Sequence, residues 1–139
     1  MASDPWVPFA CPICGGSEFL QKQVLWKELV EACGLSEDET RLIDRQQGLC
    51  CESCGANLRS MTMAGAMLRE YGSARLFQEF VVKDRAAKHL RLIEVNAAGD
   101  LSPYLSRFRQ YTFVEYPEVD LQALPFADGE FDVVVHGDT

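Results

Sequence analysis

The sequence predicts an α/β chain in two parts: a metal-nucleated lobe with inserted helices, followed by part of a parallel β-sheet. Three observations carry this. Four cysteines stand in two matched pairs, Cys11-Pro12-Ile13-Cys14-Gly15 and Cys51-Glu52-Ser53-Cys54-Gly55. Apolar residues recur with helical spacing between and after the pairs. From Leu90 onward, short apolar runs alternate with small-residue turns, the pattern of a βαβ unit.

The chain has 139 residues, enough for one ordinary domain or two very small ones. The reading divides it into a zinc-ribbon and helical domain over 1–72, a linker helix over 73–89 and the sheet part over 90–139. The formal net charge is -8, and both halves are acidic. A broad nucleic-acid surface is not favoured, because that affinity comes from clustered Lys and Arg, although a local basic patch stays open. No apolar run approaches the length of a membrane span, and Met1 to Phe9 lacks the order of a signal peptide. The expectation is a cytoplasmic protein with reduced thiols, which favours zinc over disulfides.

Asp4 to Phe9 is expected to be an extended lead-in, with aromatic residues covering the first cysteine pair. Phe19 to Cys33 carries a helical pattern, with Leu25, Leu29 and Cys33 on its apolar face and Gly34 after its end. Ser36-Glu37-Asp38-Glu39 is a capping box that starts a polar surface helix running to Gln47 and stopping at Gly48. Leu58 to Tyr71 is a further helix, with Asn57 as cap, Gly72 as stop and Met61, Ala64, Met67, Leu68 and Tyr71 facing inward. Ser73 precedes another helix, whose buried stripe is Leu76, Phe77, Phe80 and Val81; the polar run Lys83 to His89 is the link. Arg91 to Val95 is a buried strand, Asp100 to Phe108 a helix, Tyr111 to Glu115 a second strand, and Glu118 to Leu121 a short third one. Phe131 to Val135 is a fourth strand, entered through the Asp128-Gly129 turn.

The paired cysteines have a direct chemical reading. A Cys-x-x-Cys turn aims two sulfurs at one point, and the following glycine lets backbone N–H groups face the thiolates. Two such turns supply the four ligands of tetrahedral Zn²⁺, here Cys11, Cys14, Cys51 and Cys54. Cys50 offers an alternative to Cys51, but the repeated Cys-x-x-Cys-Gly motif favours Cys51. Cys33 is expected to be a small core residue. Four thiolates leave no open coordination position, so such a zinc is structural and does not activate water.

A strand ending in an acid, then a tight small-residue turn and a helix, is a known solution for binding an adenosine-containing ligand. Here the turn is Glu94-Val95-Asn96-Ala97-Ala98-Gly99-Asp100, and Glu115 follows Glu94 by about twenty residues, where a carboxylate can accept ribose hydroxyls. The segment Asp120-Leu121-Gln122-Ala123-Leu124-Pro125-Phe126-Ala127-Asp128-Gly129-Glu130-Phe131-Asp132-Val133-Val134-Val135 resembles the D-x-x-x-LPF-x-DGxFD-V-V segment of class I S-adenosylmethionine-dependent methyltransferases. The resemblance covers about Leu90 to Thr139 and implies a partial Rossmann-like sheet. Some bacterial members of that superfamily carry a zinc ribbon before the catalytic domain, and Cys51 to Tyr71 is similar to such leaders.

The resemblance implies a cofactor-binding set. Glu94, Asn96, Ala98 and Gly99 would form the loop that cradles the methionine part of S-adenosylmethionine. Glu115 would hold the ribose, Asp120 would lie near the adenine amino group, and Leu121 would offer backbone contacts. His136 falls where the family lines its methyl-transfer pocket, a variable position, so no catalytic residue is assigned. The sequence departs from the family in three places: Asn96 and Ala98 replace the first two loop glycines, Glu115 and Asp120 stand too close for an intervening helix, and the chain ends at Thr139 with the fourth strand. On that reading the active site is incomplete, and an open sheet edge invites pairing with a second copy. The alternative is a non-catalytic zinc-ribbon module with a degenerate α/β segment, binding a partner protein or nucleic acid. The methyl acceptor is not legible.

The remaining candidates read blandly. Met61, Met63 and Met67 could make a pliable partner surface, but their spacing favours packing. His89 and His136 stand without metal-ligand partners in sequence, and Arg107-Phe108-Arg109 reads as a solvated helix end rather than a base-stacking site.

Overall fold

A computed structural model describes residues 8–137 of the chain. Its contacts divide into two compact units, Met1–Gly65 and Ala66–Thr139, with the division inside one helix. The predicted lead-in Asp4 to Val7 lies outside the described residues. Phe9 is 99% exposed and does not cover the cysteine pair, contrary to expectation.

In the first unit, β1 (Phe19–Gln21) is followed by α1 (Lys27–Cys33), α2 (Glu37–Gly48), β2 (Leu49–Cys51) and the start of α3 (Leu58–Glu70). The helix expected from Phe19 is therefore shorter, and its first residues are a strand. They pair antiparallel with β2, Phe19 opposite Cys51 and Gln21 opposite Leu49. A sheet partner outside the local window outweighed the helical period, since periodicity cannot see non-local hydrogen bonds. α1 buries none of its residues, and Cys33 is exposed rather than in the core.

α2 starts at the predicted capping box. Ser36 Oγ accepts from Glu39 N at 3.3 Å, and Glu39 accepts from Ser36 N at 2.8 Å. Ser36 also holds the Glu39 carboxyl below its ordinary range. Gly48 ends α2 under β1: its carbonyl accepts from Lys22 N at 2.9 Å, and a Cβ on Gly48 would lie 2.0 Å from the Lys22 carbonyl oxygen. α3 is capped as expected, Ser60 N donating to Asn57 Oδ1 at 2.9 Å. The core of this unit is Ile13, Leu49, Ala56, Met61 and Ala64 with the buried cysteines.

The second unit takes the end of α3, α4 (Phe77–Lys83), α5 (Arg85–His89), β3 (Arg91–Val95), α6 (Ser102–Leu105), β4 (Gln110–Val114) and β5 (Val133–His136). The polar run after Val82 is helical: Asp84 caps α5 by accepting from Ala86 N at 2.9 Å, and Ala87 is buried. Of the predicted buried stripe, Phe77, Phe80 and Val81 are buried, while Leu76 is half-buried and stands just before the helix in place of Ser73 as its cap; Phe80 is stacked beside Tyr71 and Phe77 and meets Phe108 edge-on. Phe108 is 4% exposed, so it packs and offers no stacking face.

The sheet is parallel, in the order β4-β3-β5. Central β3 is buried from Leu92 to Val95. The helix expected over Asp100 to Phe108 is shorter: a 3-10 turn (Gly99–Leu101) leads into α6, and Phe108 closes on Leu105 with an i→i+3 bond. The expected strand at Glu118 to Leu121 is absent. Val119 N bonds to the Glu115 carbonyl, and Asp120 caps a 3-10 turn (Leu121–Ala123), so these backbone groups are satisfied locally. Asp132 joins β3 to the entry of β5: its carboxylate accepts from Arg91 N, Nε and Nη2 at 2.9, 3.0 and 2.8 Å.

Two measurements check these constraints. Gly48→Ala should destabilise the first unit by about 1–3 kcal/mol in denaturant unfolding, because backbone rather than a flexible side chain must yield. The hydrogen bonds from Arg91 bring the Asp132 carboxyl down to about 2 from its ordinary 3.8. A lowered folded value stabilises above the unfolded one, so this support is complete above pH 3.8 and lost as pH falls through about 2. Arg91→Gln should return the Asp132 midpoint, read by carboxyl-carbon NMR, toward 3.8.

Candidate functional site

The structure brings Cys11, Cys14, Cys51 and Cys54 together. Their sulfurs all lie within 4.8 Å of one another. Each pair sits in a tight turn, closed by Gly15 N bonding to the Cys11 carbonyl and Gly55 N to the Cys51 carbonyl, both at 2.8 Å. Both glycines hold positive φ, 83° and 77°, which ordinary side chains rarely adopt. Strand pairing of β1 with β2 fixes the second turn beside the first. Gly16, which the sequence reading passed over, allows the close approach: a Cβ there would lie 2.6 Å from Ser53 Oγ and 3.1 Å from Cys51 Sγ. The doubled glycine after Cys14 was the available signal.

The sulfur spacing fits a tetrahedral ion. Zinc–sulfur bonds of about 2.3 Å at tetrahedral angles place the sulfurs about 3.8 Å apart. Cys11 and Cys54 are 3.7 Å apart, and Cys14 and Cys51 are 3.6 Å apart, each contact crossing between the turns. Disulfides need about 2.05 Å, and all four cysteines are free thiols. The site can hold a metal ion such as zinc.

The electrostatics of the thiols are compatible with a cation among them. Burial, with the Cys14 charge adding, raises the Cys11 pKa. Burial, with Cys11 and Cys14 nearby, pushes the Cys54 thiol up strongly. At Cys51 burial acts in the same sense, but N–H groups of Cys54 and Ser53 and neighbouring sulfurs outweigh it and bring the thiol down to about 7. Four thiolates cannot share this space unless a positive ion compensates them.

Cys50 is settled against as a ligand. It follows Gly48 on the strand, and its sulfur donates to the Gly48 carbonyl at 3.3 Å, away from the cluster. Strand alternation turns neighbouring side chains to opposite faces, which sends Cys51 inward to the other sulfurs.

The residues assigned to a cofactor by resemblance lie around the carboxyl ends of β3 and β4. Glu94 is fully buried; its Oε1 accepts from Ala98 N at 2.7 Å and its Oε2 from Tyr111 Oη at 2.5 Å. Burial, the Glu94 hydrogen bond and its charge raise the Tyr111 pKa, keeping that phenol a donor. Asn96 stands at φ 49°, the left-handed region that the family's glycine would favour, and its Oδ1 accepts from Tyr116 N at 3.0 Å. Ala98 is buried and Gly99 opens the 3-10 turn. Glu115 follows β4 and is exposed, Asp120 caps the next turn, and Leu121 is 42% exposed. A cavity of about 440 Å³ lies against β3 and β5, lined by Ile93, Val95, Phe126, Phe131 and His136; of the assigned cofactor residues, only Leu121 lines it. Tyr111 is the residue that sequence reasoning missed here, since only strand pairing places it beside Glu94.

No family model, curated protein or solved structure matches the chain. Among the described residues, no helix is long and apolar enough to cross a membrane.

Protein purified under reducing conditions should carry one zinc equivalent by elemental analysis. Cys14→Ser or Cys54→Ser should abolish stoichiometric metal, and chelation should unfold the first unit by circular dichroism. Full metal loading in the Cys54→Ser protein would contradict the four-sulfur assignment.

Proposed function

We propose that the chain is an S-adenosylmethionine-dependent methyltransferase, or the N-terminal part of one, with a lobe stabilised by structural Zn²⁺. The single observation that carries this reading is the parallel order β4-β3-β5, with an acid-turn-helix connection after central β3. A doubly wound sheet has the order 3-2-1-4-5-6. If β3 is taken as its first strand, β4 and β5 would stand for the second and fourth, an order that supports reading the three as the middle of a Rossmann-like sheet. In such sheets ligands bind outside the carboxyl ends of the strands, where the order reverses. Glu94, Asn96, Gly99 and Glu115 lie at those ends.

The chain's own groups have definable tasks in this reading. Asn96 takes up the turn conformation in place of a glycine and ties the turn to the end of β4 through Tyr116 N. Glu94 fastens Ala98 N and thereby the start of the following helix. Glu115, exposed at the end of β4, can accept hydrogen bonds from the two ribose hydroxyls, and Leu121 would offer backbone contacts beside the adenine. Bound S-adenosylmethionine would supply an electrophilic methyl group, and the protein would contribute position and exclusion of water.

One observation favours the second reading, a non-catalytic zinc-ribbon module that binds a partner protein or nucleic acid. Both oxygens of Glu94 are spent inside the protein, on Ala98 N and Tyr111 Oη. The turn is therefore held closed by protein groups alone, as a degenerate scaffold would be.

Titration calorimetry with S-adenosylmethionine separates the two. The methyltransferase reading expects micromolar binding that Glu115→Ala and Asp120→Ala each weaken about tenfold, the loss of hydrogen bonds to a charged group. Absence of heat at millimolar ligand, with the metal retained, would leave the binding-module reading.

A further inference from the structure

The second unit leaves one face of its sheet partly uncovered beside an open edge. β5 is the outer strand of the order β4-β3-β5, and among the described residues no strand lies on its other side. Val134 and His136 alternate along β5, so their side chains stand on one face, with Ile93 and Val95 of β3 in register beside them. These four residues line the cavity of about 440 Å³, and the segment after β4 forms its other wall with Leu124, Phe126 and Phe131. The cover is incomplete: Val134 is 62% exposed and Leu124 is 43% exposed. Proteins ordinarily blunt an outer strand with lysine, proline or a bulge, whereas β5 reads Val-Val-Val-His.

The opening is acidic. Asp128 and Glu130 line the cavity, and no Lys or Arg does. Glu130 Oε2 accepts from Ala127 N at 2.8 Å, a bond that fixes the turn without cancelling the charge of the carboxylate. Phe126 meets Phe131 edge-on with ring centroids 5.0 Å apart, so a packed turn carries the two acids. The wider segment has the same sign: residues 110–137 contain Glu115, Glu118, Asp120, Asp128, Glu130 and Asp132 and no Lys or Arg. Arg91 brings a cation from β3, and Asp132 engages it.

Charge and shape together select the occupant. A second copy, of net charge -8, would bring the same acids to the same opening, so self-pairing is opposed. Nucleic acid is opposed for the same reason. A small apolar cation would fill the cavity but leave the edge of β5 uncovered. An extended peptide meets all three features. Its backbone pairs with the edge, and its apolar side chains enter the cavity. Lys or Arg in the same side-chain row meets the acids.

We propose that β5 and its cavity bind an extended basic peptide segment of a partner protein by strand addition, with apolar and basic side chains in the row that faces the cavity. The site does not depend on the methyltransferase reading.

The test uses the full, metal-loaded chain and a labelled peptide, Lys-Thr-Val-Thr-Val-Thr-Lys, whose Lys and Val share one face of a strand in either direction. Fluorescence anisotropy at low salt reads binding, and amide hydrogen exchange reads the edge of β5. One-to-one binding with slowed exchange along β5 is expected. The Asp128→Asn, Glu130→Gln double variant should weaken it about tenfold, the loss of two ion pairs at an exposed rim. Val134→Lys, at an exposed position, should weaken it by a similar factor. Glu118→Gln, an acid outside the cavity, should leave it unchanged. Circular dichroism and bound metal check that the variants fold. No binding at millimolar peptide would overturn the proposal. Equal binding of Lys-Thr-Ser-Thr-Ser-Thr-Lys, or an equal loss in Glu118→Gln, would also overturn it, since either means diffuse charge. Phenylethylamine that binds through Asp128 and Glu130 while the peptide does not would overturn it in favour of a small-ligand site. A dimer that Val134→Lys abolishes would overturn it in favour of self-pairing.

Discussion

Four sulfur atoms crowded to the spacing of a tetrahedron are the constraint around which the first unit is organised. Two come from a turn before β1 and two from a turn after β2 begins, so their meeting requires β1 and β2 to pair and both turns to be tight. The glycines that permit the turns, and Gly16 between them, leave little apolar volume. The short core of Ile13, Leu49, Ala56, Met61 and Ala64 is small for a unit of this length. A metal ion held by the four sulfurs would supply folding free energy that such a core lacks. It would also ease the electrostatics, since burial opposes ionising Cys11 and Cys54.

The second unit rests on a different device, a carboxylate with no solvent exposure. Glu94 sits on the central strand and takes hydrogen bonds from the turn that follows it and from the neighbouring strand. A buried acid is costly unless its oxygens are paired, and here both are. Asn96 adds a second tie from the same turn to the end of β4. Together these bonds hold the carboxyl ends of β3 and β4 in register, at the edge where a parallel sheet ordinarily receives its ligand. A device that positions the turn can serve a cofactor site or outlast the loss of one, which is why the affinity for S-adenosylmethionine carries the decision.

Charge is distributed to match this division of labour. Arg91 and Asp132 clamp strand entry on the far side of the sheet from the turn. In the first unit, most acids lie on exposed helix faces, while three cations converge on one cavity whose walls are backbone-bonded.

Local chemistry determined much of this protein. Two Cys-x-x-Cys-Gly motifs named the four clustered sulfurs, Ser36 and Glu39 named a helix start, Asn57 and Asp128-Gly129 named a cap and a turn, and Arg91 to Val95 was apolar enough to be a buried strand. Each is decided within a few residues by hydrogen bonds, φ preferences or hydrophobicity. What needed the tertiary structure was whatever depends on partners distant in sequence. Phe19 to Gln21 became a strand because Leu49 to Cys51 offered it a ladder. Cys51 rather than Cys50 turned to the sulfurs because of strand alternation against β1. Glu118 to Leu121 failed to become a strand because its backbone groups found nearer partners, and Tyr111 reached Glu94 only through parallel pairing. Sequence spacing encodes local geometry, but which strands pair and which side chains meet across them is set by packing.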